Sequence, residues 1–471
     1  MIKRERIVLC TVYVMAMFMV AMDTTIVNIA IPTISSDLQV RPASVSMINI
    51  GYLVSLAIFL PTAGWLSQRF GSKKVFFVAL ALFSTSSLFC ALAGNIKMLS
   101  IARIAQGAAG AMIAPIGMAM IYRTFTAEER PQLARMLIVP MALAPALGPV
   151  VGGVIIEEFT WRWIFIINIP ISAIAITLGV IYLQEFTSQM EKKFDFRGFL
   201  LLCPGLGLTI FGLSQTHVFG WDSPIIATCT LLGMCLLLCW MFTYQKTVQP
   251  LLDLSAHSDR LYRRMTFIMA CSQAALHGFL FAFPLMYQRT MDATALEAGL
   301  IIFPEALGLM LASQLVPLSN KKWGPRLVIS TGLVVTIFIL ISLSQITPHT
   351  NEWYLRGFLF LIGFFLGHTV GTIQVTAFAR IQNENMSNAT TLFQVQNRTS
   401  SAMGIALLAF VMEIGSETMS YSLALISAAC VLSIGLIIAQ SIKNEDTDIV
   451  FQPSKEREHI ETDTKTTHSQ R

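Results

Sequence analysis

Among the ionisable side chains inside long apolar runs, four stand out for their depth: Asp23, Arg103, His277 and Glu305. An ionised group at mid-bilayer costs roughly 2.5–3.5 kcal/mol even on the lenient insertion scale, so each needs a use or a partner. Counted at 1.5 Å per residue, Asp23, Arg103 and Glu305 fall at one level, roughly 10–13 Å below one surface, with His277 at roughly 15 Å. Opposite charges on separate helices at one depth can pair across an interior cavity. Asp23 would then gain or lose a proton as Arg103 withdraws or approaches, which is the chemistry of a proton and substrate site. The plainer alternative is a permanent ion pair or, for Glu305, a hydrogen bond to backbone opened by the adjacent Pro304. His277 reads more readily as structural, and His368 more so. Asn28, Asn49, Gln106 and Gln374 can line the same cavity, but each is also an ordinary interhelical bonding residue, worth about 0.6 kcal/mol on average.

The elements holding these groups must be membrane helices. Of 471 residues, 55% are apolar and only 13% charged, with a mean hydropathy of +0.66. An ordinary soluble domain carries about 25% charged residues, so a water-soluble enzyme is excluded. No GxxxxGK[ST], HExxH, CxxC or GxSxG motif appears, and no large polar domain exists to house chemistry, which leaves a membrane-embedded enzyme or sensor little support. The eight cysteines lie in apolar stretches and read as packing residues. Cys235 and Cys239 are one helical turn apart, but no His or carboxylate completes a metal site with them. Neither metal nor cofactor is expected.

A bilayer core about 30 Å thick needs about 20 apolar residues per helix. On that ruler the sequence predicts an all-α polytopic membrane protein of fourteen spans, near 7–31, 45–67, 75–95, 97–122, 132–157, 163–184, 197–214, 224–245, 265–288, 297–318, 326–346, 354–378, 396–414 and 418–442. Of the 32 Lys and Arg, 26 then fall on one face, counting Arg380 and Arg398 in the loop before the thirteenth span. Only Arg41, Lys97, Arg162, Arg289 and Arg356 fall on the other, and Arg103 lies within a span. That asymmetry predicts cytoplasmic N- and C-termini. The expected domains are a six-helix bundle over 1–184, two inserted helices with their linker over 185–245, a second six-helix bundle over 246–442, and a disordered cytoplasmic tail over 443–471. A faint repeat relates Leu66–Gly71 to Leu318–Gly324. Repeated half-bundles are how transporters expose a central site to alternate faces.

Five motifs in order give the chain a family resemblance. Asp23–Pro32, Gly64–Lys74, Arg103–Gly107, Gly148–Gly153, and the pair Trp161–Pro170 with Phe194–Gly198 are together similar to the major facilitator superfamily, in its fourteen-helix drug:proton antiporter branch. The resemblance implies that Asp23 is the coupling acid and that Arg103 takes part in proton transfer. It also implies that Gly64, Gln68, Arg69, Gly71 and Lys73 form a cytoplasmic gating motif. Gly148, Pro149, Gly152 and Gly153 would form the antiporter motif, with Ala144 where a leading glycine is usual. One departure stands out. The family's gating motif carries an Asp where this chain has Gln68, and a basic residue where it has Ser72. That Asp helps latch the outward-facing state by facing a helix N-terminus; the amide forfeits a charge–dipole attraction of roughly 0.3–1 kcal/mol.

The leading expectation is a bacterial inner-membrane, proton-coupled exporter of lipophilic or cationic toxic compounds, because the buried acids Asp23 and Glu305 outnumber Arg103. Its partners are protons, a small-molecule cargo and lipid, with no nucleic acid, and its working unit is a monomer. Among 24 Met and 31 Phe, some can furnish an adaptable apolar pocket. The rival expectation keeps the fold but exports a small anionic metabolite or metal chelate anchored on Arg103.

Overall fold

The computed structural model describes residues 2–40, 42–126, 129, 144, 147–148, 151–185, 193–220, 222–293, 295–347, 349–414 and 417–442. Its fifteen labelled helices are α1 (Ile2–Asp37), α2 (Pro42–Phe59), α3 (Thr62–Phe70), α4 (Ser72–Ala91), α5 (Ile96–Thr124), α6 (Trp163–Ile166), α7 (Asn168–Tyr182) and α8 (Phe196–Phe219), then α9 (Pro224–Tyr244), α10 (Arg260–Met291), α11 (Ala295–Trp323), α12 (Pro325–Leu343), α13 (Glu352–Thr376), α14 (Met386–Ile414) and α15 (Glu417–Gln440). Residues 151–158 are also helical. Eleven described helices are long and apolar enough to cross a membrane, or twelve if the bent pair α2–α3 is one span. The pair bends by 57°. Pro61 sits in the break, where it can neither donate a backbone bond nor let the helix pass straight through.

Most of the apolar run 132–157, Pro149 within it, and the expected tail 443–471 lie outside the described residues. The other thirteen runs each overlap a described helix. One boundary needs correction. The thirteenth run is expected at 396–414, with Arg398 at its very start counted among the loop cations, but α14 starts at Met386 and Arg398 lies three turns inside it. The stretch Ser387–Val395 does not read as membrane-spanning by hydropathy, yet it is helical because its polar face has an interior to meet.

Two groups of helices emerge from the packing. Helices α1, α2, α4, α5 and α7 contact one another, as do α10 to α15, while α8 pairs with α9 and touches both α2 and α14. Glycines set the closest crossings. A Cβ on Gly404 of α14 would collide with the Ala274 backbone of α10, and one on Gly363 of α13 with the Glu305 carbonyl of α11. Removing side chains there lets backbones meet, which is how membrane helices gain packing energy without a hydrophobic drive. The faint repeat has a structural counterpart: Gly71 (φ 94°) joins α3 to α4 and Gly324 (φ 77°) joins α11 to α12. Both need a backbone region open chiefly to glycine. At the end of α1 remote from the basic loops, Asp37 accepts from Trp161 Nε1 at 2.9 Å and from Arg162 at 3.0 Å. The Trp161 bond first, and then Arg162, hold its carboxyl below the usual carboxylate range.

At the basic end the two groups are joined. Ser67 and Ser387 hydroxyls lie 2.9 Å apart, Tyr122 donates to the Gln374 carbonyl at 2.9 Å and Arg123 to the Asn383 carbonyl at 2.9 Å. Tyr122 also packs on Phe378, with ring centroids 4.8 Å apart. Toward the other end, exposure rises along the α5 face that begins at Met118: Met118 and Ala111 are buried, Ile104 is 47% and Ile101 70% exposed. The groups diverge, so the space between them opens away from the basic end.

Gly404→Val should lower the melting temperature of the detergent-solubilised protein by several degrees, because overpacking costs about 1–3 kcal/mol. Gly357→Val, at a position with no atom within 4 Å of the added Cβ, should leave it nearly unchanged.

Candidate functional site

The structure brings Asp23 and Arg103 together. Arg103 Nη1 lies 2.5 Å from Asp23 Oδ2, and neither side chain has any exposure. Asp23 comes from the middle of α1 and Arg103 from the second turn of α5. Gln106, one turn after Arg103 on the same face, bridges the pair: its Oε1 accepts from Arg103 at 2.7 Å and its Nε2 donates to Asp23 Oδ1 at 3.1 Å. Asn49 on α2 accepts from Arg103 Nη2 at 3.0 Å. The Tyr52 ring covers the guanidinium at 4.1 Å, with Phe165 beyond at 5.7 Å.

Two further members were missed in the sequence. Asn168, the first residue of α7, donates to Asp23 Oδ1 at 3.3 Å and to Ser87 at 3.2 Å. Ser87 also accepts from Gln106 at 2.6 Å. Asn168 had a signal, an amide inside an apolar run, whereas Ser87 and Tyr52 looked like packing. The site is therefore a dry polar knot inside the first helix group, and the expected pairing across an interior cavity is not what these residues make. Gly148 and Gly152 help to close it: a Cβ on Gly148 would strike Thr25 Oγ1, and one on Gly152 would sit 2.9 Å from Ile26 Cγ1. Gly153 faces open space. Asn28 lies on α1, two turns from Asp37 and beyond the pair.

Glu305 and His277 do not join the knot. Glu305 on α11 is 8% exposed and has no hydrogen bond or ion pair among the described residues. His277 on α10 is half-buried, and its Nδ1 lies 3.0 Å from the Gln273 carbonyl and 3.2 Å from Ser401 Oγ. His368 is satisfied by Ser319 and by the Phe364 carbonyl. Gln374 contributes its backbone to the joined basic end, as acceptor for Tyr122. Arg398, absent from the sequence-based candidates, is exposed and makes no hydrogen bond or ion pair among the described residues.

The gating motif lies at the joined end. Gly64 lets α3 approach α14, since a Cβ there would stand 2.8 Å from Asn388 Oδ1. Gln68 is buried; its Nε2 reaches the Glu384 carbonyl at 3.4 Å, just before α14, while its Oε1 has no partner among the described residues. Arg69 is exposed in the last turn of α3, where a cation complements the helix dipole. After Gly71, the first amides of α4 donate to Glu185, Lys73 N at 2.9 Å and Lys74 N at 3.0 Å. Lys73 Nζ reaches the Leu183 and Val180 carbonyls at the end of α7.

Breaking a buried pair by removing one partner costs about 3–5 kcal/mol, because a naked charge stays behind. Arg103→Gln alone should therefore destabilise the protein by that order, and adding Asp23→Asn should recover most of the loss in a thermal double-mutant cycle. Gln68→Asp should favour the state joined at the basic end by about 0.3–1 kcal/mol, through charge facing the α14 N-terminus. Spin labels at Lys74 and Asn385 should then report a larger short-distance population.

The sequence profile of the Major Facilitator Superfamily matches residues 13–405. A putative multidrug resistance protein MdtD of Klebsiella pneumoniae is 29% identical over 413 residues, covering 86% of this chain and 86% of its own. A multidrug resistance protein B homolog of Mycobacterium tuberculosis is 27% identical over 406 residues, 85% of this chain and 75% of its own. The crystal structure of the human organic anion transporter MFSD10 superposes with a TM-score of 0.66 at 13% identity, over 93% of this chain and 99% of that one, and so shares its fold. With a family match across most of its length, relatives of similar extent and this arrangement of helices, the chain belongs to the Major Facilitator Superfamily of membrane transporters.

Proposed function

We propose that this protein is a proton-coupled exporter of lipophilic or cationic drug-like compounds, working by alternating access in a bacterial inner membrane with both termini cytoplasmic. The observation that carries this reading is the dehydrated Asp23–Arg103 pair between α1 and α5. Protonating Asp23 removes the negative partner and leaves an intolerably buried cation, so Arg103 must find water or another anion. Proton uptake is thereby tied to displacement of α5 against α1. The two six-helix groups, 1–184 and 246–442, rock about the inserted pair α8–α9. Relatives named for multidrug resistance support the cargo class.

The driving force is adequate. One charge crossing 100 mV supplies about 2.3 kcal/mol before any pH term. An anionic cargo anchored on Arg103 has less support, because both Nη atoms are engaged by Asp23, Gln106 and Asn49.

In proteoliposomes with an imposed pH gradient, Asp23→Asn should abolish uphill cargo movement and its accompanying proton flux. The same variant should still bind cargo and exchange it downhill. Wild-type rates of uphill efflux from Asp23→Asn would remove this carboxylate from the coupling mechanism.

A further inference from the structure

We propose that Arg398 forms an anion-binding subsite at the floor of the open cavity, where it takes the carboxylate of an amphiphilic cargo. This rests on the exporter reading but shifts its cargo toward amphiphiles that carry a carboxylate, since it adds a membrane cation without an ion pair among the described residues to the acids and base counted before.

One face of α14 carries a polar stripe. Ser387, Thr391, Gln394, Arg398 and Ser401 recur at alternating spacings of four and three, so they form a single stripe. Its lower rungs meet the first helix group. Ser387 bonds Ser67, Thr391 Oγ1 stands 3.2 Å from the Cβ position of Gly64, and Gln394 reaches Met118 Sδ at 3.9 Å. Ser387 and Thr391 are buried and Gln394 is half-buried; Arg398, the next rung, is exposed. The helix groups thus part just at Arg398, and it is the first uncovered side chain above the seal.

Its exposure is to an interior space and not to lipid. Arg398 lies within electrostatic reach of Tyr52, a fully buried residue of the first group, and of His277 in the second. Protein therefore surrounds it on both sides. An arginine kept at this depth requires an anion or water. Asp23 is taken by Arg103, and Glu305 is not among the charges that reach Arg398. A cargo carboxylate meets the need, because the planar guanidinium offers two parallel N–H donors matched to its two oxygens. Beside it His277, whose Nδ1 is engaged by the Gln273 carbonyl and Ser401, presents an Nε2 with no partner among the described residues. That nitrogen can accept from a hydroxyl or amide N–H next to the carboxylate.

The test compares N-dansyl-phenylalanine with its methyl ester, which share one apolar body and differ in charge, on full-length protein in nanodiscs of uncharged lipid. Wild type should bind the acid about tenfold or more tightly than the ester, as a charge-assisted pair allows. Arg398→Gln should erase that preference while ester binding persists, and Arg398→Lys should keep part of it. Equal wild-type affinity for acid and ester overturns the proposal without any variant. So does an Arg398→Gln protein that still prefers the acid, or loses both ligands equally. The measurement needs no proton gradient. Acid binding through Arg398 without uphill transport would sink the exporter reading alone, and uphill transport with no acid preference would sink the subsite alone.

Discussion

A carboxylate and a guanidinium held against each other without water are the constraint around which the first helix group is organised. Isolated from the other, neither Asp23 nor Arg103 is tolerable at zero exposure. Their contact therefore dictates how α1 and α5 sit, and the neighbours follow: Asn49 and Gln106 engage the guanidinium Nη atoms, Gln106 also donates to the carboxylate, and Asn168 and Ser87 extend the bonding outward. Within the knot the Arg103 Nε and the Asn168 Oδ1 nevertheless have no hydrogen-bond partner among the described residues. A knot retained purely for stability would be better made of aliphatic side chains, since well-packed apolar residues often equal or exceed a buried ion pair. The polar version leaves room for the second arrangement that the proposed proton coupling requires.

Much of the fold was legible because lipid imposes a length on every crossing segment. Thirteen apolar runs map to described helices for that reason. The Asp23–Arg103 pairing was legible for a related one: charges that expensive must answer one another, and their depths agreed. What the sequence concealed was the solvent. Depth along a helix says nothing about rotation around it, so a cavity-facing carboxylate and one turned into its own bundle look alike. Rotation is set by packing at Gly148 and Gly152 and by Tyr52 lying over the guanidinium, and no single run of residues records those contacts.

The opposite error occurred at α14. Hydropathy finds helices that present apolar side chains all round, and it shortens one whose inner face is polar. Ser387 to Val395 fall outside the run expected at 396–414, and Arg398, at the edge of that run, is counted there with the loop cations although it lies well inside α14. A periodicity test was the missing signal: the polar residues Ser387, Thr391, Gln394, Arg398 and Ser401 follow a helical repeat, while Phe393 and Val395 between them are buried apolar residues. An amphipathic span is what a protein with a wet interior requires.

The seal at the basic end is left imperfect. Gln68 spends its amide N–H₂ on the Glu384 carbonyl and keeps a shielded oxygen that no described residue answers. A shielded acceptor without a donor weighs about 1–3 kcal/mol against the conformation that contains it, and water would relieve it the moment the joint parts. Such a joint has a built-in tendency to let go. In the proposed alternating-access cycle it would shorten the stay in the sealed form, a bias set by the amide that stands where an acid would carry charge.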